Sequence, residues 1–394
     1  LLGERFDTGK IANNTLKHAL SHHSSRSSPS SRFILAYALF GPPQQGKDMS
    51  EYFDSSRRDL MRLAAVALAA TQLPAVALAA SEKSKTTASL KAGTHTTFKA
   101  LKQIDAGLLN VGYAEDGPAD GPAVILLHGW PYDIYSFVDV APALAAQGLR
   151  VIVPWLRGYG STHFLSEQTM RNGQPAAVAS DIIALMDALK IDKAVLAGFD
   201  WGARTADIIA ALWPERCKAL VAVSGYLIGN QAAGQQPLPP EAEFLWWYQF
   251  YFATERGAAG YAKNTRDFTR LIWKQASPKW DFDEATFERS AKAFENPDHV
   301  AITLHNYRWR QNLAAGEAQY DELERKLAKA PPISVPTITL EGDANGAFHP
   351  PPKAYAAKFT GHYEHRTLTG GIGHNLPQEA PVAFAKAVVD VSKW

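Results

Sequence analysis

The residues best placed to do chemistry together are a carboxylate framed by two glycines and a histidine far downstream. Gly198-Phe199-Asp200-Trp201-Gly202 comes directly after the apolar run 194–197, and residues of helical spacing follow from about Ala203. The two glycines allow a tight turn and keep neighbouring side chains clear of the central carboxylate. A helix N-terminus directly beneath Asp200 favours its anionic form, although a plain N-cap Asp would look the same locally. Used as a nucleophile, a carboxylate is restricted in what it can usefully attack. An ester or amide would give an anhydride poorly worth forming, whereas a saturated carbon bearing a leaving group gives a stable alkyl ester. Displacement at carbon is therefore favoured over acyl transfer, and the ester must then be hydrolysed with the help of a base and an oxyanion site. His374, in Gly371-Ile372-Gly373-His374-Asn375-Leu376-Pro377, is the candidate base.

Such residues need rigid elements to hold them. Short β-branched runs alternate with longer helix-period segments, the pattern of an α/β protein with a parallel sheet wrapped by helices. Strands are expected at 108–113, 124–127, 151–153, 194–197, 220–223 and 337–340, with a weaker one near 364–368; helices are expected at 137–147, 176–189, 203–212, 352–359 and 377–391. The alternation stops after Ser224 and resumes near Val335. The stretch between, 226–332, holds Trp246, Trp247, Trp273, Trp280 and Trp309, five of the ten tryptophans, and reads as a mostly helical cap over the carboxyl ends of the sheet. A second domain with its own aromatic core is the alternative. The hydrolytic core is then expected at 81–225 and 333–394.

The glycine-framed turn resembles the nucleophile elbow of the α/β-hydrolase fold. That resemblance spans about residues 97–391 and implies a mostly parallel sheet with helices on both faces and a helical cap inserted between strands. In this family the catalytic His follows the last strand, as His374 does. Its orienting acid follows an earlier strand, which the resemblance assigns to Asp343 in Leu340-Glu341-Gly342-Asp343. Asp343 would fix the His374 tautomer, and the order Asp200, Asp343, His374 matches nucleophile, acid and base. The other position used for the acid in the superfamily is occupied by Ser224-Gly225. His128-Gly129-Trp130-Pro131 resembles the family's oxyanion loop, which implies that the N–H groups of Trp130 and Trp201 hold the oxyanion formed at Asp200. Arg157-Gly158-Tyr159-Gly160-Ser161 matches a further family loop with a structural role.

Within the superfamily the chain resembles epoxide hydrolases, which are related to haloalkane dehalogenases. Trp247-Tyr248-Gln249-Phe250-Tyr251-Phe252 and Asn306-Tyr307-Arg308 are similar to the two cap segments of that family. By this resemblance Tyr248 and Tyr307 hydrogen-bond the epoxide oxygen and protonate it, since a phenol is neutral at pH 7. Either tyrosine alone could equally be a core aromatic. Trp201 suits both activities, and Phe199 stands where both families usually carry His. The expectation is a cofactor-free, metal-free enzyme that opens an epoxide to a diol through an Asp-linked alkyl-enzyme, with water and a small apolar epoxide or halogenated compound as its partners. A dehalogenase acting on a haloalkane or haloacid is the alternative, and a catalytically silent binding protein for an apolar ligand is the second.

The rest of the composition is consistent with this. The 394 residues are 46% hydrophobic and 20% charged, with a formal net charge of +1, which allows a large core. Residues 1–80 hold nine Lys and Arg against six Asp and Glu, leaving 31 against 33 in the remainder, so the body of the protein is weakly acidic. No basic stripe points to nucleic acid. The lone Cys217 cannot form an internal disulfide and reads as a core residue. Ser56-Arg57-Arg58-Asp59-Leu60-Met61-Arg62, an Ala-rich run and the exit Ala77-Leu78-Ala79 make residues 49–80 resemble a twin-arginine export signal. Thr71, Gln72 and Pro74 argue against a membrane span. Export machinery is then a partner, and the expected location is periplasmic or secreted in a bacterium. Residues 1–48, rich in Ser and His, read as a disordered leader upstream of Met49.

Overall fold

The computed structural model describes residues 95–394; the expected leader and export signal lie outside the described residues. A hairpin opens the sheet, β1 (Leu101–Ala106) turning at Gly107, with φ +59°, into β2 (Leu109–Asp116). The chain then runs through β3 (Ala123–Leu127), α1 (Val140–Ala145), β4 (Arg150–Pro154), a short β5 (His163–Phe164), α2 (Pro175–Ala188), β6 (Ala194–Gly198), α3 (Trp201–Leu212) and β7 (Cys217–Val223). Seven helices separate β7 from β8: α4 (Gln231–Gly234), α5 (Pro240–Leu245), α6 (Trp247–Ala253), α7 (Glu255–Ala276), α8 (Glu284–Ala291), α9 (His299–Arg310) and α10 (Asp321–Leu327). After β8 (Thr337–Gly342) come α11 (Pro352–Tyr355), β9 (Tyr363–Leu368), α12 (Leu376–Glu379) and α13 (Pro381–Val391).

The strand order is β1-β2-β4-β3-β6-β7-β8-β9, with β5 on β2. From β4 to β9 every pairing is parallel, whereas β1, β2 and β5 pair antiparallel at one edge. This is the α/β-hydrolase architecture. The central strands are near-continuous apolar runs because helices cover both faces: all five residues of β6 and all six of β8 are buried. β1 has no counterpart among the expected strands. Leu101, Lys102, Gln103 and Asp105 are exposed at the sheet edge, so no apolar run or alternation marks it. The expected helix over 377–391 is two helices, α12 and α13, because Pro381 cannot continue the backbone ladder of the first.

The Arg157 loop has the structural role expected of it. Its buried guanidinium makes a bidentate bond to Asp181 on α2, Nε to Oδ2 at 2.6 Å and Nη2 to Oδ1 at 2.7 Å, tying the loop after β4 to a helix that packs on the sheet. Cys217 is buried at the start of β7, where desolvation pushes its thiol up to about 12.

Candidate active site

Asp200 sits between β6 and α3 with φ 52° and ψ −123°, a strained conformation for a non-glycine residue. The strain comes from packing strand against helix at close range. A Cβ on Gly202 would lie 1.9 Å from the Leu127 carbonyl oxygen, and one on Gly129 would lie 2.3 Å from the Asp200 Cβ. Only glycine at these two points lets the loop after β3 pass over the turn. Asp200 makes no side-chain bond to the helix below it, so it is not a plain N-cap. One carboxylate oxygen, Oδ1, accepts the Trp130 N–H at 2.8 Å, and the other, Oδ2, lies 3.5 Å from His374 Nε2. The Trp201 N–H is at the first helical position, where no intrahelical acceptor exists. Burial alone would push the Asp200 carboxyl up, but His374, Arg204 and the Trp130 N–H together hold it below the usual carboxylate range. It is therefore ionised at neutral pH.

His374 follows β9 and is buried beside Tyr132 and Phe199, with ring centroids at 6.0 and 6.2 Å. Ser277 at the end of α7 fixes its backbone: the Ser277 Oγ accepts the His374 N–H at 2.9 Å and donates to Glu379 Oε1 at 2.7 Å. Phe199, the departure from the usual His, is buried in the core at Tyr132 and Phe137.

The expected orienting acid is corrected by the structure. Asp343 is turned away from His374 and caps a different segment, its oxygens accepting N–H bonds from Gly370 at 3.0 Å, Gly371 at 2.8 Å and Ile372 at 3.0 Å. Those donors, Gly370 first, hold its carboxyl below the usual range. The residue at the His374 ring is Asn345, two positions further along the same loop, with Oδ1 3.2 Å from His374 Nδ1. Asn345 Nδ2 donates to Glu341 Oε1 at 2.8 Å and to Ser224 Oγ at 3.3 Å. A carboxylate only accepts, so Glu341 fixes the amide with Oδ1 toward the ring. Nδ1 then carries the proton, and Nε2 presents its lone pair toward Asp200. The physical reason is local: the glycine-rich turn 370–373 offers three N–H groups within reach of Asp343, and that nest captures the nearer carboxylate. Asn345→Ala is expected to lower kcat by roughly 10²-fold, within the range of a misdirected general base, while Asp343→Ala costs less than about tenfold through loosening of the His374 loop. Steady-state kinetics of the two variants check this, and the reverse ranking would restore Asp343 to the ring.

Tyr248 on α6 and Tyr307 on α9 line one small chamber of about 80 Å³ together with Trp130, Asp200 and His374. Their rings meet edge to face at 5.4 Å, and both pack on Trp130, at 5.0 and 5.2 Å. Burial pushes the Tyr248 phenol up to about 12 and Tyr307 well above its ordinary value, so both are neutral donors at pH 7. The two indoles are placed differently. Trp130 Nε1–H donates to Tyr261 Oη at 2.9 Å, and the buried Trp201 ring lies against Tyr307 at 5.8 Å without lining the chamber. Arg204, Arg310 and Gln249 also line this chamber, and nothing in the motifs singles them out.

The chain matches the α/β-hydrolase fold family over residues 122–265. It is 40% identical over 277 residues to an epoxide hydrolase of Caballeronia sordidicola, covering 62% of this chain and 79% of that one. Epoxide hydrolase B of Mycobacterium tuberculosis is 34% identical over 157 residues, 36% of this chain and 43% of that protein, so the chain matches less than half of that relative's length. A crystal structure of a candidate epoxide hydrolase from Klebsiella pneumoniae superposes with a TM-score of 0.75 at 65% identity, covering 75% of this chain and 98% of that one. The chain belongs to the α/β-hydrolase family. Its homologues are epoxide hydrolases, and haloalkane dehalogenases stand among its relatives at 27% identity.

Proposed function

We propose that this protein hydrolyses a small epoxide to a diol. Asp200 Oδ2 attacks an epoxide carbon from the chamber while Tyr248 and Tyr307 hydrogen-bond the ring oxygen, one of them giving it a proton as the carbon–oxygen bond breaks. The product of this half-reaction is an alkyl ester of Asp200. His374 Nε2 then takes a proton from water, which adds to the ester carbonyl; the Trp130 and Trp201 N–H groups stabilise the resulting oxyanion. Collapse of that intermediate expels the diol oxygen, which takes the proton held by His374, while the acid proton left on Asp200 returns to the tyrosinate and restores the carboxylate and the neutral phenol. Asn345, backed by Glu341, positions the imidazole throughout. Aromatic walls at Trp130, Tyr248 and Tyr307 receive the apolar part of the substrate.

The observation that carries this reading over halide displacement is the kind of donor in the chamber. Opening an epoxide creates an alkoxide, which needs O–H donors able to surrender a proton, and two neutral phenols line the chamber with Asp200. A halide needs only weak donors such as indole N–H; the Trp130 indole is engaged by Tyr261, and the Trp201 indole, whose buried N–H has no partner among the described residues, lies behind Tyr307, so the phenols are the donors on the chamber wall. Removing one preorganised oxyanion donor typically costs about 10²–10³-fold. Tyr248→Phe and Tyr307→Phe are each expected to lower kcat for epoxide opening by about that factor, and the double variant by more. Diol formation from aryl and alkyl epoxides, run beside halide release from haloalkanes, checks it; a double variant as active as the parent, or halide release outpacing diol formation, would sink the reading.

We propose further that residues 49–80 direct export through a twin-arginine route, supported by Arg57-Arg58 ahead of a modestly apolar run. The paired change Arg57→Lys and Arg58→Lys should leave the protein unprocessed in the cytoplasm, and unchanged appearance outside it would refute the route.

A further inference from the structure

Two arginines stand in the site with no partner of their own. Among the described residues, Arg204, on the first turns of α3, and Arg310, the last residue of α9, make no side-chain hydrogen bond and no ion pair. Five other partly or fully buried arginines behave differently: Arg157, Arg171, Arg216, Arg308 and Arg366 each reach a carboxylate at 3.0 Å or less, while Arg289 reaches the Thr96 carbonyl. Arg310 instead lies 5.7 Å from the centre of the Tyr307 ring, one of the two phenols.

Their placement relative to the nucleophile is set by the helix. The Arg204 N–H donates to the Asp200 carbonyl at 3.0 Å, so Arg204 is one turn along from the attacking carboxylate. Residues four apart share a face about 5–6 Å from each other. Arg204 and Arg310 also line a second cavity of about 480 Å³ that adjoins the reaction chamber, and the two cavities have Leu227, Trp246 and Gln249 in common as well. The two guanidiniums therefore stand where one cavity meets the other.

The chain itself does not balance this charge. Burial, and then the neighbouring Arg310, push Arg204 down to about 10. Glu324 and Asp207 feel the Arg204 charge, but burial pushes Glu324 up to about 7 and Asp207 well above its ordinary value, and each is held by a backbone N–H, of Ala176 at 2.9 Å and of Leu227 at 2.7 Å. Of the carboxylates that line the two cavities, Glu243 accepts the Leu238 N–H at 2.7 Å in the larger one, and Asp200, the carboxylate of the reaction chamber, is consumed as an ester in the first chemical step. Two like charges kept in a confined, partly desolvated place, with an amide from Gln249 beside them, form a receptor for a planar anion.

Resting on the epoxide reading, we infer that the preferred substrate is an epoxide carrying a carboxylate a few bonds from the ring, with Arg204 and Arg310 binding that carboxylate while the ring faces Asp200. The aromatic walls then serve the remainder of the molecule, and the cleft as a whole is not suited to a purely apolar compound. Arg204 and Arg310 are specificity-determining residues and take no part in bond making.

The test uses the full chain and a matched pair of substrates, 3-phenyl-2,3-epoxypropanoate and its primary amide, with styrene oxide as a neutral reference. The parent enzyme should favour the acid over the amide by at least tenfold in kcat/KM. In Arg310→Gln that ratio should fall at least fivefold, and in Arg204→Gln likewise; a merely structural role would lower both substrates together and leave the ratio in place. Arg310→Gln keeps the test valid should Arg204→Gln fail to fold, since Arg310 ends its helix and is only half-buried. Equal or better turnover of the amide by the parent, or a ratio that survives both substitutions, overturns the anion site while styrene oxide hydrolysis leaves the epoxide reading standing. Failure of all three compounds to open overturns that reading, and this inference with it.

Discussion

Asp200→Asn is expected to abolish epoxide turnover, by at least about 10⁴-fold, the scale on which loss of a nucleophile is felt. The substitution is chosen because it should leave the site's architecture standing. Asn tolerates positive φ better than most side chains, so the strained backbone at 52° remains accessible. Its amide oxygen can still accept the Trp130 N–H, now at 2.8 Å from Oδ1. What it cannot do is displace an alkoxide from carbon, because an amide is a weak nucleophile and the first covalent bond never forms. The parent enzyme should leave a complementary trace. In the proposed mechanism water attacks the ester carbonyl and not the substrate carbon, so a single turnover in ¹⁸O-labelled water should place the label in Asp200 and leave the diol unlabelled. Label in the diol on the first turnover would mean that water attacks the epoxide directly, with Asp200 as its base.

His374→Gln should separate the two half-reactions. Ring opening draws on Asp200 and the phenols, whereas ester hydrolysis draws on a base for water; general bases contribute about 10²–10⁴-fold. With that contribution gone from the second step only, the alkyl-enzyme accumulates and intact-protein mass spectrometry should register it. The size of the increment identifies the chemistry. Epoxide opening expels nothing, so the protein gains the whole mass of the substrate, while halide displacement adds only the alkyl group in place of a proton. Absence of any adduct, with turnover lost, would assign His374 to the first step instead.

Much of this site is legible in the chain because it is local. The elbow at Asp200 depends on residues within a few positions: a buried apolar strand, two glycines and a helix start. Each glycine has a contact that demands it, Gly202 at the Leu127 carbonyl being the tightest. The order nucleophile, then base, is likewise a property of the chain. The orienting group was not legible, and the reason is geometric. Asp343 and Asn345 are two residues apart in one loop, and the family resemblance pointed to the carboxylate. Which of them reaches His374 is decided by how the 370–373 turn packs beneath that loop and offers its N–H groups to Asp343.

The same distinction holds for composition and charge. An aromatic-rich cap over a parallel sheet follows from periodicity and residue type alone, and with it the expectation of an apolar cleft. The arginine pair could not follow, because Arg204 and Arg310 are 106 positions apart and meet only where the end of α9 and the start of α3 line one chamber. Sequence by itself determined the fold and singled out the candidate nucleophile, since strand and helix patterning and the elbow turn are short-range. The tertiary structure alone decided which side chain meets the histidine ring and which arginines line the chamber, because both depend on contacts between segments that the chain holds far apart.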